Sequence, residues 1–343
     1  MRSAAPHVVL LCDATRASGA GHLSRCVALG EAVIDTGGTA TVAGRIDPAF
    51  ARLTDGSGVD LDDLVSPWAT PEGEAARLAV IQRQAPATVV VDSYDLRARL
   101  LAGLASVTRT VAIDDFARLD AYPCDVVVNF TVGASELSYP AGPELLLGPQ
   151  WLLARRGLRR ARAHRQETDA GAPVRRVLVA IGGVDRAGAT ARVVDVLLAA
   201  DDELEIDVVA GRAFPGHDEV RSRLDRLGNR SGVTISAPSL APHLTRADLV
   251  VCGGGLTKYE AAYLGVPTVV IDQTADQAWE SDRFTARGLA VRAGRIDDPG
   301  GDLTEPIVGL LRDGEQRRAL AAASRAAFPS DPTAAAARRI LAR

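Results

Sequence analysis

Two glycine-rich turns carry the residue types that can do chemistry. In SGAGHLSRC a single histidine, His22, follows Gly21 and opens an amphipathic run, just after the apolar strand HVVLLCD. An imidazole there lies at the mouth of a sheet rather than on an apolar face. One reading is a surface residue or phosphate ligand at a helix start. The other is a general base, because imidazole titrates near neutral pH. Asp13, two residues past the strand, can orient the imidazole, bind a substrate hydroxyl, or simply make the turn.

The second turn lies in ADLVVCGGGLTKYEAAYLGVPTVVI, Ala247 to Ile271. A strand ends in Gly253, Gly254 and Gly255, and a helix is expected from about Thr257. Glycines let the backbone approach a ligand closely, and a helix N-terminus offers unpaired N–H groups with a partial positive charge. Together they make a cradle for a diphosphate. Glu260, one turn into the helix, can accept both hydroxyls of a ribose. A plain strand-to-helix turn is the bland alternative; the continuation through GVP, a buried strand and DQTADQAWE favours the nucleotide. A further glycine turn, AIGGVDRAGAT with Gly182 and Gly183, can line the same site or be an ordinary tight turn. The expected nucleotide and diphosphate contacts are therefore Gly21, Gly182, Gly183, Gly254, Gly255, Leu256, Thr257 and Glu260.

Carboxylates gather at two other strand ends. VVVDSYDL places Asp92 and Tyr94, and VAIDDF places Asp114 and Asp115, where they suit sugar hydroxyls or cap helices. Asp92, Tyr94, Asp115 and Gln277 are the expected sugar and acceptor contacts. Paired aspartates with no third ligand at sensible spacing do not predict a metal, and no cofactor is expected beyond the substrate itself. The arginine run from Arg155 to Arg165 reads as a solvated linker helix, with a patch for a phosphorylated acceptor as the alternative.

The elements that must position these residues alternate between short β-branched runs and helical patterns, the grammar of parallel sheets with crossover helices. Strands are expected at Val8–Leu11, Thr39–Ala43, Val89–Asp92, Thr110–Ile113 and Val126–Asn129, with a helix from about His22 to Ile34. The rhythm breaks near Leu153 and restarts with Arg176–Ala180, a helix from about Gly188, then Glu205–Val209, Val233–Ser236, Leu249–Cys252 and Thr268–Ile271. This divides the chain into a first domain over 1–152, a linker over 153–173 and a second domain over 174–343. Two such sheets are expected to leave a cleft, with ligands beyond the carboxyl ends of the strands.

The chain has 343 residues, 47% hydrophobic and 24% charged, and a formal charge of −4, a soluble globular balance that predicts no nucleic-acid or membrane partner. The opening residues lack a basic stretch followed by an apolar one, so a secretory signal is not expected. Cys12, Cys26, Cys124 and Cys252 are scattered and read as free thiols of a cytoplasmic protein. Lys258 is the one lysine.

With DATRASGAGHLSRCVALG, VVVDSYDL, AIDDFA, LLLGPQWLLARR, AIGGVDRAGAT and CGGGLTKYEAAYLGVP, the chain resembles the nucleotide-sugar hydrolase of pseudaminic acid biosynthesis and its relatives in spore-coat polysaccharide synthesis. The second half is also similar to the glucosaminyltransferase that makes lipid II. The resemblance implies an α/β chain of the GT-B fold, two Rossmann-like domains with the nucleotide held mainly by the second. It implies that His22 is the base, that Gly254 and Gly255 lie against the diphosphate and that Glu260 holds the ribose. It favours uridine as the nucleoside.

Two positions depart from the hydrolases: Leu11 stands where they carry arginine, and Asp276-Gln277 where they carry asparagine-glutamine. Both are on the expected sugar side. The expected activity is therefore inverting transfer from a nucleotide sugar to a small soluble or phosphorylated acceptor. His22, Asp13 and Asp276 are its expected catalytic residues. Hydrolysis, with water as acceptor, is the alternative, and an idle nucleotide-sugar binder is a third reading.

Overall fold

The computed structural model describes residues 5–16, 18–68, 70–164, 169–183, 185, 188–211, 214–297 and 302–342; the side chains of Arg226 and Asp276 lie outside that description. The chain divides into two compact units, Met1–Arg156 with Asp331–Arg343, and Gly157–Ser330.

Among the described residues the first unit holds a seven-stranded parallel sheet. Its strands are β1 (His7–Cys12), β2 (Thr39–Gly44), β3 (Asp60–Asp63), β4 (Thr88–Asp92), β5 (Arg109–Ile113), β6 (Val126–Asn129) and β7 (Glu144–Leu147), in the order β3-β2-β1-β4-β5-β6-β7. The central strands are β-branched runs buried on both faces, as crossover helices require. Strand order reverses between β1 and β4, where Cys12 is paired with Asp92. In open α/β sheets ligands bind beyond the strand ends at such a reversal.

The second unit repeats the plan with six parallel strands. These are β8 (Arg176–Ala180), β9 (Glu205–Ala210), β10 (Ser231–Ile235), β11 (Leu249–Gly253), β12 (Thr268–Asp272) and β13 (Val291–Arg295), in the order β10-β9-β8-β11-β12-β13. Its reversal falls between β8 and β11, which end at the two glycine turns of this half.

The domain division differs from the expected one in two places. Residues 331–343, expected in the second domain, belong to the first unit. Asp331 caps the helix Pro332–Leu341, which buries Ala336, Ala337 and Ile340. The buried Thr333 hydroxyl accepts from Ala154 N–H at 2.8 Å and lies 3.0 Å from the Leu152 carbonyl, so a polar contact between residues far apart in sequence ties this helix down. The expected linker 153–173 is divided between the two units after Arg156, while the helix expected within it is Arg156–His164.

Nor are its arginines merely solvated. Arg155 pairs with Glu31 and Arg156 with Asp35. Arg162 donates to the carbonyls of Tyr263 and Phe328 and stacks on the Tyr263 ring. Backbone carbonyls left over at helix ends need donors, and a guanidinium supplies several. Arg165 lies outside the described residues.

Candidate functional site

The helix Gly21–Asp35 starts in the connection that leaves β1, and its residues three apart share a face. That spacing brings His22 and Arg25 together on Asp92, the last residue of β4, which is fully buried. His22 Nδ1 lies 2.6 Å from Asp92 Oδ1. Arg25 grips the same carboxylate with two prongs, Nε to Oδ2 at 2.5 Å and Nη2 to Oδ1 at 2.6 Å. Its third nitrogen, Nη1, donates to both oxygens of Asp115 at 3.0 and 2.7 Å.

Burial alone would raise the Asp92 carboxyl, but Arg25 and His22 outweigh it and hold the group at about 2. Asp92 is then a pure acceptor, so His22 Nδ1 carries the hydrogen of their contact. His22 is 5% exposed, and Nε2 has no hydrogen-bond partner among the described residues. An imidazole fixed at one nitrogen by a carboxylate, with the other nitrogen unbonded, is the arrangement of a general base.

Asp13 does not orient the imidazole. It is buried, but its carboxylate accepts from the Arg45 backbone N–H at 2.9 Å and from Arg77 Nη2 at 2.9 Å. Arg77 is itself fully buried over the Trp68 ring, 3.9 Å from its centroid. The residue that orients the imidazole is Asp92, which the β1–β4 register sets beside Cys12 at the strand ends. Asp92, expected to meet a sugar, is instead enclosed by Arg25 and His22. Asp115 is bound to Arg25. Tyr94 is 58% exposed and packs edge-on against the His22 ring at 4.4 Å, so it is the expected sugar contact that keeps an open face here. A small depression beside His22 is lined by Tyr94, Asp115, Phe116 and Arg118.

Sequence reading missed Arg25. Its signal was the spacing HLSR, one turn after the histidine.

In the second unit, β11 runs into Gly253-Gly254-Gly255 and the helix Leu256–Tyr263. A side chain at Gly253 would strike the Ile181 carbonyl, and one at Gly254 would crowd Asp272 and Gln277. At Gly255 a methyl would meet nothing within 4 Å, so the turn is open on that face. No side chain caps this helix. The other glycine turn differs: Asp185 accepts from Ala189 and Thr190 N–H at 2.9 and 2.8 Å, so its own carboxylate caps the helix that follows. Of the two turns, the one after β11 has no side-chain cap on its helix end. Val184, Arg186 and Ala187 lie outside the described residues.

Beneath that turn sits a second group that sequence reading missed. Lys258 is fully buried, and its ammonium donates to the Gly254 carbonyl and to Glu280 Oε2, the latter at 3.0 Å; the Tyr259 hydroxyl donates to the other oxygen of Glu280. Holding the Gly254 carbonyl toward Lys258 turns the N–H of the same planar peptide, that of Gly255, the opposite way. Glu260 is half-buried on the same helix. Gln277 accepts from the Gln273 N–H at 2.9 Å, bracing the loop after β12. The Asp276 side chain lies outside the described residues. A side chain at Gly21 or Gly183 would meet nothing within 4 Å, whereas one at Gly182, whose φ is 144°, would meet Gln273 Nε2 at 3.0 Å.

No protein-family model matches the chain. Over 156 residues, 43% of this chain and 32% of the relative, it is 28% identical to an uncharacterized protein of Methanocaldococcus jannaschii. Over 177 residues, 50% of each chain, it is 27% identical to the spore coat polysaccharide biosynthesis protein SpsG of Bacillus subtilis. The matches thus span about a third and a half of the lengths of these curated relatives. Among solved structures it is similar to MurG of Acinetobacter baumannii (TM-score 0.64, 14% identity, 98% of this chain and 99% of that one). It is also similar to the glycotransferase of kitacinnamycin (TM-score 0.64, 20% identity, 99% and 100%). At such identities the likeness shows the fold, which is that of the GT-B glycosyltransferases. Among the described residues no helix is long and apolar enough to cross a membrane.

Proposed function

We propose that the chain is an inverting glycosyltransferase that takes a sugar from a nucleoside diphosphate donor and gives it to a small soluble or phosphorylated acceptor. The observation that carries this reading is the His22 centre: a buried imidazole fixed at Nδ1 by Asp92, with Nε2 unbonded. His22 Nε2 takes the proton of the acceptor hydroxyl, whose oxygen bonds to the anomeric carbon. The bond from that carbon to the diphosphate breaks, and the electron pair leaves with the phosphate. N–H groups of Gly255, Leu256 and Thr257 meet the charge that develops there, and Glu260 takes the ribose, for which uridine is the proposed nucleoside. The GT-B fold and the spore-coat relative support the reading. No step needs a metal ion.

The test is a panel of UDP-, TDP- and GDP-sugars, followed by nucleoside diphosphate release with and without candidate acceptors. Release that depends on an acceptor is the expected result, and His22→Ala should lower it by about 10²–10⁴-fold. Rapid stoichiometric release of free sugar without acceptor would replace transfer by hydrolysis. Full activity in His22→Ala would remove the assigned base.

A further inference from the structure

Four ionisable side chains meet at the end of β4, and their charges do not cancel while the histidine is neutral. Arg25 contributes one positive charge; Asp92 and Asp115 contribute two negative ones, and all three are joined by hydrogen bonds of 2.5–3.0 Å. With neutral His22 the cluster carries −1. Once His22 has taken a proton, the cluster is neutral. Charge left uncompensated away from water is costly, so the second carboxylate favours the imidazolium.

We propose that Arg25 and Asp115 are positioning residues for His22. Asp115, acting through the Arg25 guanidinium, supplies the counter-charge that the imidazolium needs when His22 accepts a proton. Without Asp115, the Arg25–Asp92 pair would already be balanced, and protonating the imidazole would place a net charge in a buried setting. Arg25 has the shape for this: its planar fork binds Asp92 with two prongs and still directs Nη1 to both oxygens of Asp115. Nη2 also lies 3.1 Å from His22 Nδ1, which places the guanidinium against the ring it serves.

The other groups facing His22 are accounted for. From its own helix comes Cys26, whose Sγ lies 3.9 Å from Asp92 and whose burial keeps it a thiol. Tyr94, beyond β4, meets the ring edge-on. Beyond β5, Asp114 is occupied by the Tyr122 hydroxyl, and Arg118 is stacked on Phe116 at the rim of the depression. Cys12, on β1, is buried beside Asp92 in the ladder. Asp13, at the far side of β1, is held by Arg77 and Arg45. Asp115 is thus the carboxylate joined to the centre in excess of the Arg25–Asp92 pair.

This rests on the general-base reading of His22, so the experiment has a readout that needs no turnover. The protein is labelled with ring-¹⁵N histidine, His22 is assigned by its loss in His22→Gln, and its titration is followed by NMR in wild type and Asp115→Asn. The expected result is a midpoint lowered by about one pH unit in Asp115→Asn. Asp115→Glu, which restores the charge, should return it to the wild-type value. In an Arg25→Lys background, where a point charge replaces the fork, the effect of Asp115→Asn should shrink to less than half.

An unchanged midpoint in a folded Asp115→Asn protein would overturn the proposal, as would an undiminished effect of Asp115→Asn in the Arg25→Lys background. In the pH profile of kcat/KM, the acidic limb should move down with the NMR midpoint. If the midpoint moves and the limb does not, the electrostatic link stands and the assignment of His22 as base falls.

Discussion

Asp92→Asn tests whether the buried carboxylate holds the His22 centre together. Asparagine keeps the shape but replaces one acceptor oxygen by an N–H₂ donor. Three donors point at the carboxylate, two from Arg25 and one from His22, so at least one then faces another donor. The depression of Asp92 from 3.8 to about 2 corresponds to about 2 kcal/mol of native-state stabilisation at 1.36 kcal/mol per unit. Breaking a buried ion pair costs about 3–5 kcal/mol, and Asp115 still neutralises Arg25, which sets the expected loss near 3 kcal/mol. Calorimetry should therefore show the first unit melting roughly 6–12 °C lower at pH 7, at about 2–4 °C per kcal/mol.

The pH dependence has a definite sign. A carboxyl depressed in the folded state gives stability that is complete above its unfolded value, 3.8, and is lost as pH falls through about 2. The gap between wild type and variant should hold from pH 7 to about 4 and close toward pH 2. Turnover should fall by about 10²-fold or more, because Nδ1 is no longer held as the donor. A melting point within about 1 °C of wild type, or a gap unchanged at pH 2, would refute the reasoning.

Gly255→Ala should fold normally, since a methyl there meets nothing, yet lose nucleoside diphosphate affinity by about tenfold as it enters the open face of the turn; isothermal titration with UDP and UMP reads the loss. Lys258→Met strands the Glu280 carboxylate and frees the Gly254 carbonyl, so chemical denaturation should show a loss of about 3 kcal/mol, with diphosphate affinity falling more than nucleoside affinity. Thr333→Val leaves the buried Ala154 N–H without its acceptor and should cost about 1–3 kcal/mol in the same measurement.

Strands buried on both faces were legible in the sequence because each carries a continuous apolar run. VVVD, VVVN and LVVC each lie within an observed strand or coincide with one. The three strands that escaped were β3 (DLDD), β7 (ELLL) and β13 (VRAGR), and each is the last strand of its sheet. An edge strand has one neighbour and more water, so β3 and β13 carry no continuous apolar run, while β7 carries only the short run LLL. The helix starts at Gly21 and Leu256 were legible for a different reason: strand, glycine turn and helical period follow one another within a few residues.

The sequence by itself determined the fold class, the two repeats of the strand-and-helix plan, and the presence of a histidine and a glycine turn at strand ends. These are local matters, set by periodicity and by the backbone freedom of glycine. Only tertiary structure decided that Asp92, seventy residues away, and not the nearby Asp13, holds the imidazole. Only it showed that Arg25 joins Asp115 to that pair, that Lys258 grips the glycine turn, and that the last helix returns to the first unit. Hydrogen bonds and ion pairs between distant residues depend on strand order and register, which a parallel sheet fixes through long crossovers that leave no mark in local composition.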